Sequence, residues 1–561
     1  MKRAMILLGL LLVCAVSLRA QGFDPTVEVS RTYDVRLGEI HKPVLPLEVS
    51  DTLARFGHTT DYSIFEKPYS NLYEFTPYDA LRIKPLDPIR LPLIYARVGL
   101  QMPVAPLVDL HLQKATKGGT YFNLALHHNS FFGSVPEVGA GGGNLSMTNS
   151  DNDVSAHMKF VWATGEAGVG VIYNYDSRYS VASAGQTASN GYGNLGVRAG
   201  LRSTTETENN LYYDFKFKYD AGRSSYLTSA MADRLALREN AFSLDGWVGT
   251  TFDIHRIYID MSLRFASYSG AKDYTTAVVA FSPIYEYSSG RFEGRFGVKF
   301  GNRFGLQESQ AAKAPDGNNL NALSSVFPDV DARVEVIRRA LWIHTIVGGG
   351  FDLNDYGFLA SQVPLLSPNT PMLMGSRPLD VTLALEGVVF GRFAMNLTGG
   401  FVMERGRPIF EPVVTTDGAP AEIQLGFLNA NTLMGGLDAF WKSSTVTTGG
   451  ELRFYHYFPM AGEAAITQLP AATGRLYFRY NWRERVIGSL DYDFRSAVGG
   501  NTFGVWNAPW IHNLGLTVDY VVNRHFTLYG KLGNLFNCHN QYVPYYVEPG
   551  FNFGGGIALI F

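Results

Sequence analysis

Residues 211–220 read LYYDFKFKYD and divide by parity: Leu211, Tyr213, Phe215, Phe217 and Tyr219 against Tyr212, Asp214, Lys216, Lys218 and Asp220. Successive side chains of a β-strand point to opposite faces, so this stretch is a strand with one greasy and one charged face. About ten residues also suffice to cross a hydrocarbon layer as a tilted strand. The pattern recurs. Ile257, Ile259, Met261, Leu263 and Phe265 alternate with Tyr258, Asp260, Ser262, Arg264 and Ala266. Phe292, Phe296, Val298 and Phe300 oppose Arg291, Glu293, Arg295 and Lys299, and Leu476, Phe478, Tyr480 and Trp482 oppose Arg475, Arg479 and Arg483.

A face carrying full charges so consistently must be wet or internally paired, because an isolated buried ion is costly. A soluble sandwich would fill its inner face with apolar side chains, so the apolar face here must meet lipid. Aromatics make up 13% of the chain, with 31 Tyr and 37 Phe against 17% charged residues, a balance suited to a sheet in a bilayer. Beyond residue 20 no run of eighteen uncharged apolar residues occurs. Helical spans are thereby excluded, and a membrane protein without them must be a closed barrel.

The expected fold is therefore all-β: a closed antiparallel transmembrane barrel of about 22 strands, within a range of 18–22, over residues 92–561. The segments reach from Leu93 to Phe561, with no amphipathic helix expected between them. An even strand number places both chain ends on the periplasmic side, where the turns are short. Short joints fall near Gly165–Ala167, Glu206–Asn209, Asp253–His255, Arg338–Arg339, Gly391–Arg392, Lys442–Thr445, Arg483–Arg485 and Asn523–His525. Longer external connections alternate with them, at Gly133–Asp151, Ala221–Glu239, Asn302–Ser324, Asn354–Arg377, Arg405–Ala421, Met460–Thr473, Val498–Ala508 and Cys538–Pro549.

The start of the chain assigns the compartment. Lys2 and Arg3 precede an apolar run from Met5 to Val16 that is too short to span a bilayer, and Ala20 offers a cleavage point before Gln21. Residues 1–20 read as a signal peptide, which directs the barrel to a bacterial outer membrane. Val13 ahead of Cys14 argues against lipid attachment there. Removing Lys2, Arg3 and Arg19 takes the net charge from -3 to -6 and leaves Cys538 as the single cysteine, so no internal disulfide forms. Residues 21–91 carry seven prolines and no sustained periodicity. They are expected to form an extended segment, periplasmic or lumen-filling.

The closing strand has its own signature, with Phe551, Phe553, Ile557, Leu559 and Phe561 on one face. The stretch LYGKLGNLFNCHNQYVPYYVEPGFNFGGGIALIF, with Asn534, Leu535, Phe536 and Asn537 followed by Tyr546, Pro549, Gly550 and Phe561, resembles the end of TonB-dependent receptors. Such receptors carry a globular plug ahead of the barrel. Residues 21–91 do not suit one, so the chain looks like a plugless relative of the kind found among Bacteroidetes. The resemblance implies an outer-membrane channel or transport-associated protein. The alternative is a structural subunit of an outer-membrane assembly with no transport of its own.

No catalytic, cofactor or metal site emerges. Gly139–Gly143 lacks the Lys-Ser/Thr and the strand-to-helix context of a phosphate loop. His127 and His128 are adjacent on a strand and so face opposite ways. Asp491 and Asp493 share a polar face with Arg495, which suits a charge ladder better than a catalytic pair. The expected functional surface is thus the lumen-facing ladder of Arg291, Glu293, Arg295, Lys299, Arg475, Arg479, Arg483, Asp491, Asp493 and Arg495. Expected partners are outer-membrane lipids and periplasmic or outer-membrane proteins; nothing in the charge pattern suits nucleic acid.

Overall fold

The computed structural model describes residues 93–561 except 117, 137–142, 182–186, 204–210, 229–232, 272, 306–322, 364–365, 371, 373, 390, 415–419, 460–465, 500–506 and 544–545. The expected signal peptide, residues 1–20, and the expected extended segment 21–91 lie outside the described residues. Twenty-two antiparallel strands form one sheet, each paired with its neighbours in sequence. The sheet closes on itself: Ile94–Met102 pairs with Asn552–Ile560, setting Val98 opposite Ile557 and Gly99 opposite Gly556. The strand number is that expected from the periodicity. Phe561 and Ile94 exchange both backbone hydrogen bonds, at 2.9 and 3.0 Å, so the final aromatic completes the seam.

One face of each strand leaves large apolar side chains bare. Val98, Leu100, Val169, Val171, Tyr173, Phe281, Phe300 and Ile557 are all exposed. The opposite face carries cross-strand ion pairs such as Arg198–Asp220 at 2.7 Å and Arg453–Asp438 at 2.6 Å. A closed barrel that is apolar outside and charged inside is built to span lipid, and its compartment is the bacterial outer membrane.

The strands outlast the bilayer on the external side. Thr120–Pro136 and Asn144–Trp162 pair without a break from Thr120–Phe160 to Pro136–Asn144, so most of the expected loop Gly133–Asp151 is strand. Phe393–Val414 and Pro420–Lys442 run to 22 and 23 residues, absorbing most of Arg405–Ala421. About ten residues cross the membrane, and the remainder continues the ladder into water. There the outward face turns polar: His128 Nδ1 lies 2.6 Å from Asn152 Oδ1, and Asn152 donates to Ser150 at 3.0 Å. The lipid-facing signal stops at the membrane surface; the backbone pairing does not.

Contrary to the expectation of an uninterrupted series of strands, a helix, Tyr356–Gln362, lies in the connection between Leu341–Asp352 and Gly375–Val389.

Candidate functional site

The interior wall is a lattice of paired charges. Arg295 pairs with Asp329, and Lys299 lies 4.0 Å from the same carboxylate. Asp329 also accepts a 2.9 Å bond from Ser282. Arg475 reaches Asp491 at 2.9 Å and Asp493 at 3.7 Å. Glu293 stands opposite Arg333, whose guanidinium instead meets Glu386 at 2.6 Å. Arg479 lies 5.4 Å from the Tyr477 ring, and Arg495 donates to the Tyr542 carbonyl at 3.2 Å. Arg291 and Arg483 are placed differently. Both occupy tight turns at the periplasmic rim, and Arg483 takes a left-handed backbone, φ 50°, that ends its strand. Nothing local in the sequence marks Asp329 and Glu386 as partners, because the partner of a charge is set by how neighbouring strands align.

His127 and His128 do point to opposite faces: His127 pairs with Asp109 in the lumen, while His128 belongs to the outward network with Asn152.

The C-terminal motif staples an external loop. Asn534 donates to the carbonyls of Cys538 at 2.8 Å and Pro549 at 3.1 Å and accepts from the Cys538 amide at 3.0 Å. Asn537 accepts from the Phe551 amide at 2.8 Å. Both asparagines have positive φ, 45° and 53°, a conformation this residue tolerates well. The Leu535 amide bonds to the Leu514 carbonyl at 2.9 Å, and Phe536 sits edge-on to Tyr492.

In the same loop, burial and nearby Asp493 push the Glu548 carboxyl up to about 7. The folded loop therefore binds this proton more tightly than an ordinary glutamate does. The resulting stabilisation is complete below the normal value of 4.5 and is lost as pH rises through about 7. Corrected for the intrinsic base-catalysed rate, protection of the Phe551 and Cys538 amides from hydrogen exchange is expected to fall over that interval in the wild type. In Glu548→Gln the dependence should vanish, and an unchanged pH profile there would remove Glu548 as the cause.

The long connection after Asp352 folds inward and packs on the lumenal wall. Asp355 caps the helix, accepting from the Phe358 amide at 2.7 Å. The next free amides, those of Tyr356 and Gly357, donate to the two oxygens of Glu239 at 2.8 and 2.9 Å. Glu239, only 3% exposed, also accepts a 3.0 Å bond from the Tyr192 hydroxyl. One carboxylate on the strand Leu235–Phe252 thus satisfies three donors, two of them buried. The Tyr356 hydroxyl, 2.9 Å from Ser224 Oγ, donates to the Leu366 carbonyl at 3.0 Å. Tyr274 accepts from the Met372 amide at 2.8 Å. Gly357 has no room for a Cβ beside the Tyr192 hydroxyl.

Leu359, Val363, Leu366 and Met372 bury against Tyr192, Leu237, Ala266, Tyr268 and Tyr274 on one side and Ile423 and Leu425 on the other. Leu366 forms a parallel bridge with Ile423, and the Ser367 amide bonds to the Ile423 carbonyl at 2.8 Å. The strands bearing Tyr192 and Ile423 stand ten positions apart around a 22-strand ring. This apolar core therefore bridges the interior near its outer mouth, as a cap fixed to both sides.

Beneath the cap the wall opens into a recess of ≈ 590 Å³. Its depth follows from register. Ser262, Ala280 and Gly301 lie in one row across three strands, and their small side chains leave a hollow. One row outward stand Arg264, Val278 and Arg303; one row inward are Asp260 and Ser282. Beside it, a bulge between Gly348 and Gly350 turns the Gly349 carbonyl toward Lys299, 3.4 Å away. Arg377 is neutralised on the rim by Asp352 at 2.8 Å.

These features define a class: a wide outer-membrane barrel with a charged lumen and an internal cap. Among solved structures the chain is similar to the FrpB iron transporter of Neisseria meningitidis, at 8% identity and a TM-score of 0.64 over 83% of this chain and 81% of that one. It is similar to the copper transporter OprC, at 12% identity and 0.60 over 84% and 81%. The ferripyoverdine receptor of the Pseudomonas aeruginosa outer membrane matches at 10% identity and 0.62 over 84% and 72%. These are TonB-dependent receptors, and at such identities the likeness is one of fold. No protein-family model and no curated protein matches the sequence.

Proposed function

We propose that this protein is a transport-associated outer-membrane channel of receptor type that works without a full plug domain. The solute path is the lumen, and the inward-folded segment Leu353–Met374 is its outer closure. The observation that carries this reading is the pairing of a charged interior with a buried hydrogen-bonded latch at Glu239. A charged lumen keeps the path wet, and a segment latched across its outer end can regulate it. A barrel serving only as a membrane anchor needs neither.

Similarity in fold to iron and copper transporters supports passage of a solute in the same sense. The proline-rich composition of residues 21–91 supports the plugless part of the reading. Planar-bilayer recordings of the purified protein with and without residues 21–91 test it. Stepwise conductance in either form is the expected result. Absence of conductance in both, together with a stoichiometric protein companion on gentle extraction, would favour a structural subunit instead.

A further inference from the structure

Arg303 is a buried cation with no counterion among the described residues. It is 4% exposed, its Nε has no hydrogen-bond partner, and its one hydrogen bond is a long 3.4 Å contact from Nη1 to the Met374 carbonyl. The guanidinium lies 5.3 Å from the centre of the Phe351 ring, which gives a cation–π contact but no neutralising charge. Every other mostly buried arginine discussed above has a carboxylate or a shorter carbonyl partner. Burying an uncompensated guanidinium costs several kcal/mol, so such groups ordinarily face an anion. Among the described residues none is within ion-pair distance.

The recess adjoins it. Phe351, Val278 and Gly301, which border Arg303, line that cavity together with Arg264, and Arg303 stands one row outward, just behind that lining. Arg264 and Arg303 flank Val278 in one row on the same face, two strand spacings or about 10 Å apart at the backbone. Two long side chains from those positions can converge on one group. Arg264 is exposed to the lumen and has no ion pair among the described residues. Deeper in the same cavity the lining is mixed, with Asp245 and Asp260 beside Lys299 and with Asp352 and Asp380 paired to Arg377.

We infer that this recess is a binding site for the anionic end of a small polar solute, with Arg303 as the buried anchor and Arg264 as the second ligand for a carboxylate or phosphate. Asp245 and Asp260 receive the hydroxyl or ammonium groups of the remainder. Binding here does not depend on passage, since a barrel that conducts nothing would still hold the anion.

Equilibrium dialysis of the purified full-length protein in detergent, at fixed ionic strength, tests this with labelled inorganic phosphate and labelled succinate as separate probes. Saturable binding of at least one probe is expected, and the two arms tell phosphate from carboxylate recognition. Arg303→Met is expected to weaken binding tenfold or more, Arg264→Gln severalfold, and Arg479→Gln not at all. Folding of each variant is read from heat-dependent mobility in detergent gels. No saturable binding of either probe by the wild type, or wild-type affinity in folded Arg303→Met, overturns the site. If Arg303→Met does not fold, unchanged affinity in Arg264→Gln overturns it.

Discussion

In Glu239→Ala the cap is expected to come off the wall. The substitution strips the acceptor from the Tyr356 and Gly357 amides and the Tyr192 hydroxyl at once, of which the Tyr356 and Tyr192 bonds are buried and the Gly357 bond is half-buried. Orphaned buried donors cost about 1–3 kcal/mol each. At 1.4 kcal/mol per decade the open state of the segment should gain roughly a hundredfold or more in population. Native-state hydrogen exchange reads this directly. The Leu359 and Val363 amides, bonded to the Asp355 and Leu359 carbonyls, are expected to lose protection while amides of the barrel wall keep theirs. Glu239→Gln retains one acceptor and should fall between. Unchanged protection in Glu239→Ala would mean that the apolar contacts alone hold the cap.

The second large effect is expected at the seam. Gly556 and Gly99 face each other there, and the Tyr529 side chain lies across them with Arg97 stacked 4.0 Å from its ring. A Cβ on Gly556 would overlap the Val98 carbonyl and come within 2.6 Å of both the Gly99 Cα and the Tyr529 hydroxyl. Backbone cannot yield as a flexible side chain can. Gly556→Val is therefore expected to cost more than about 4 kcal/mol, enough to prevent closure. In detergent gels the compact, heat-sensitive form should disappear. Tyr529→Ala combined with Gly556→Ala should recover less than the wild type, because the Val98 clash remains. A normal compact form in Gly556→Val would show that the strands can part at the seam without loss of the barrel.

Both sites show what sequence conveys and what it does not. The parity of 211–220 and its counterparts makes strands, their two faces and their number legible, because lipid imposes the same division on every crossing. Where lipid ends the constraint ends, and so Gly133–Asp151 and Arg405–Ala421 read as loops although the ladder takes up most of their described residues. The ladder charges Arg295 and Arg475 are legible as residues, but Asp329 as a partner is not, since Arg295 reaches it diagonally from opposite Asp331.

The cap is harder still. Asn354–Arg377 reads as one more external connection, and its inward turn depends on Glu239, more than a hundred residues away in sequence. A local signal does exist. Asp355 in front of Tyr356, Leu359 and Val363 gives a capped apolar stripe at helical spacing, and those three residues are the ones that bury. The C-terminal motif was readable as a resemblance, while its physical work, two positive-φ asparagines closing a loop, appears only in three dimensions.

On the proposed function, the lumen is a solute path closed at its outer end by the segment 353–374. Single-channel recording of the full chain with residues 356–372 replaced by a short Gly-Ser linker puts this to the test. Stepwise ohmic conductance severalfold above that of the wild type is the predicted result. Conductance equal to the wild type, in a variant that retains the compact heat-sensitive form, would contradict it.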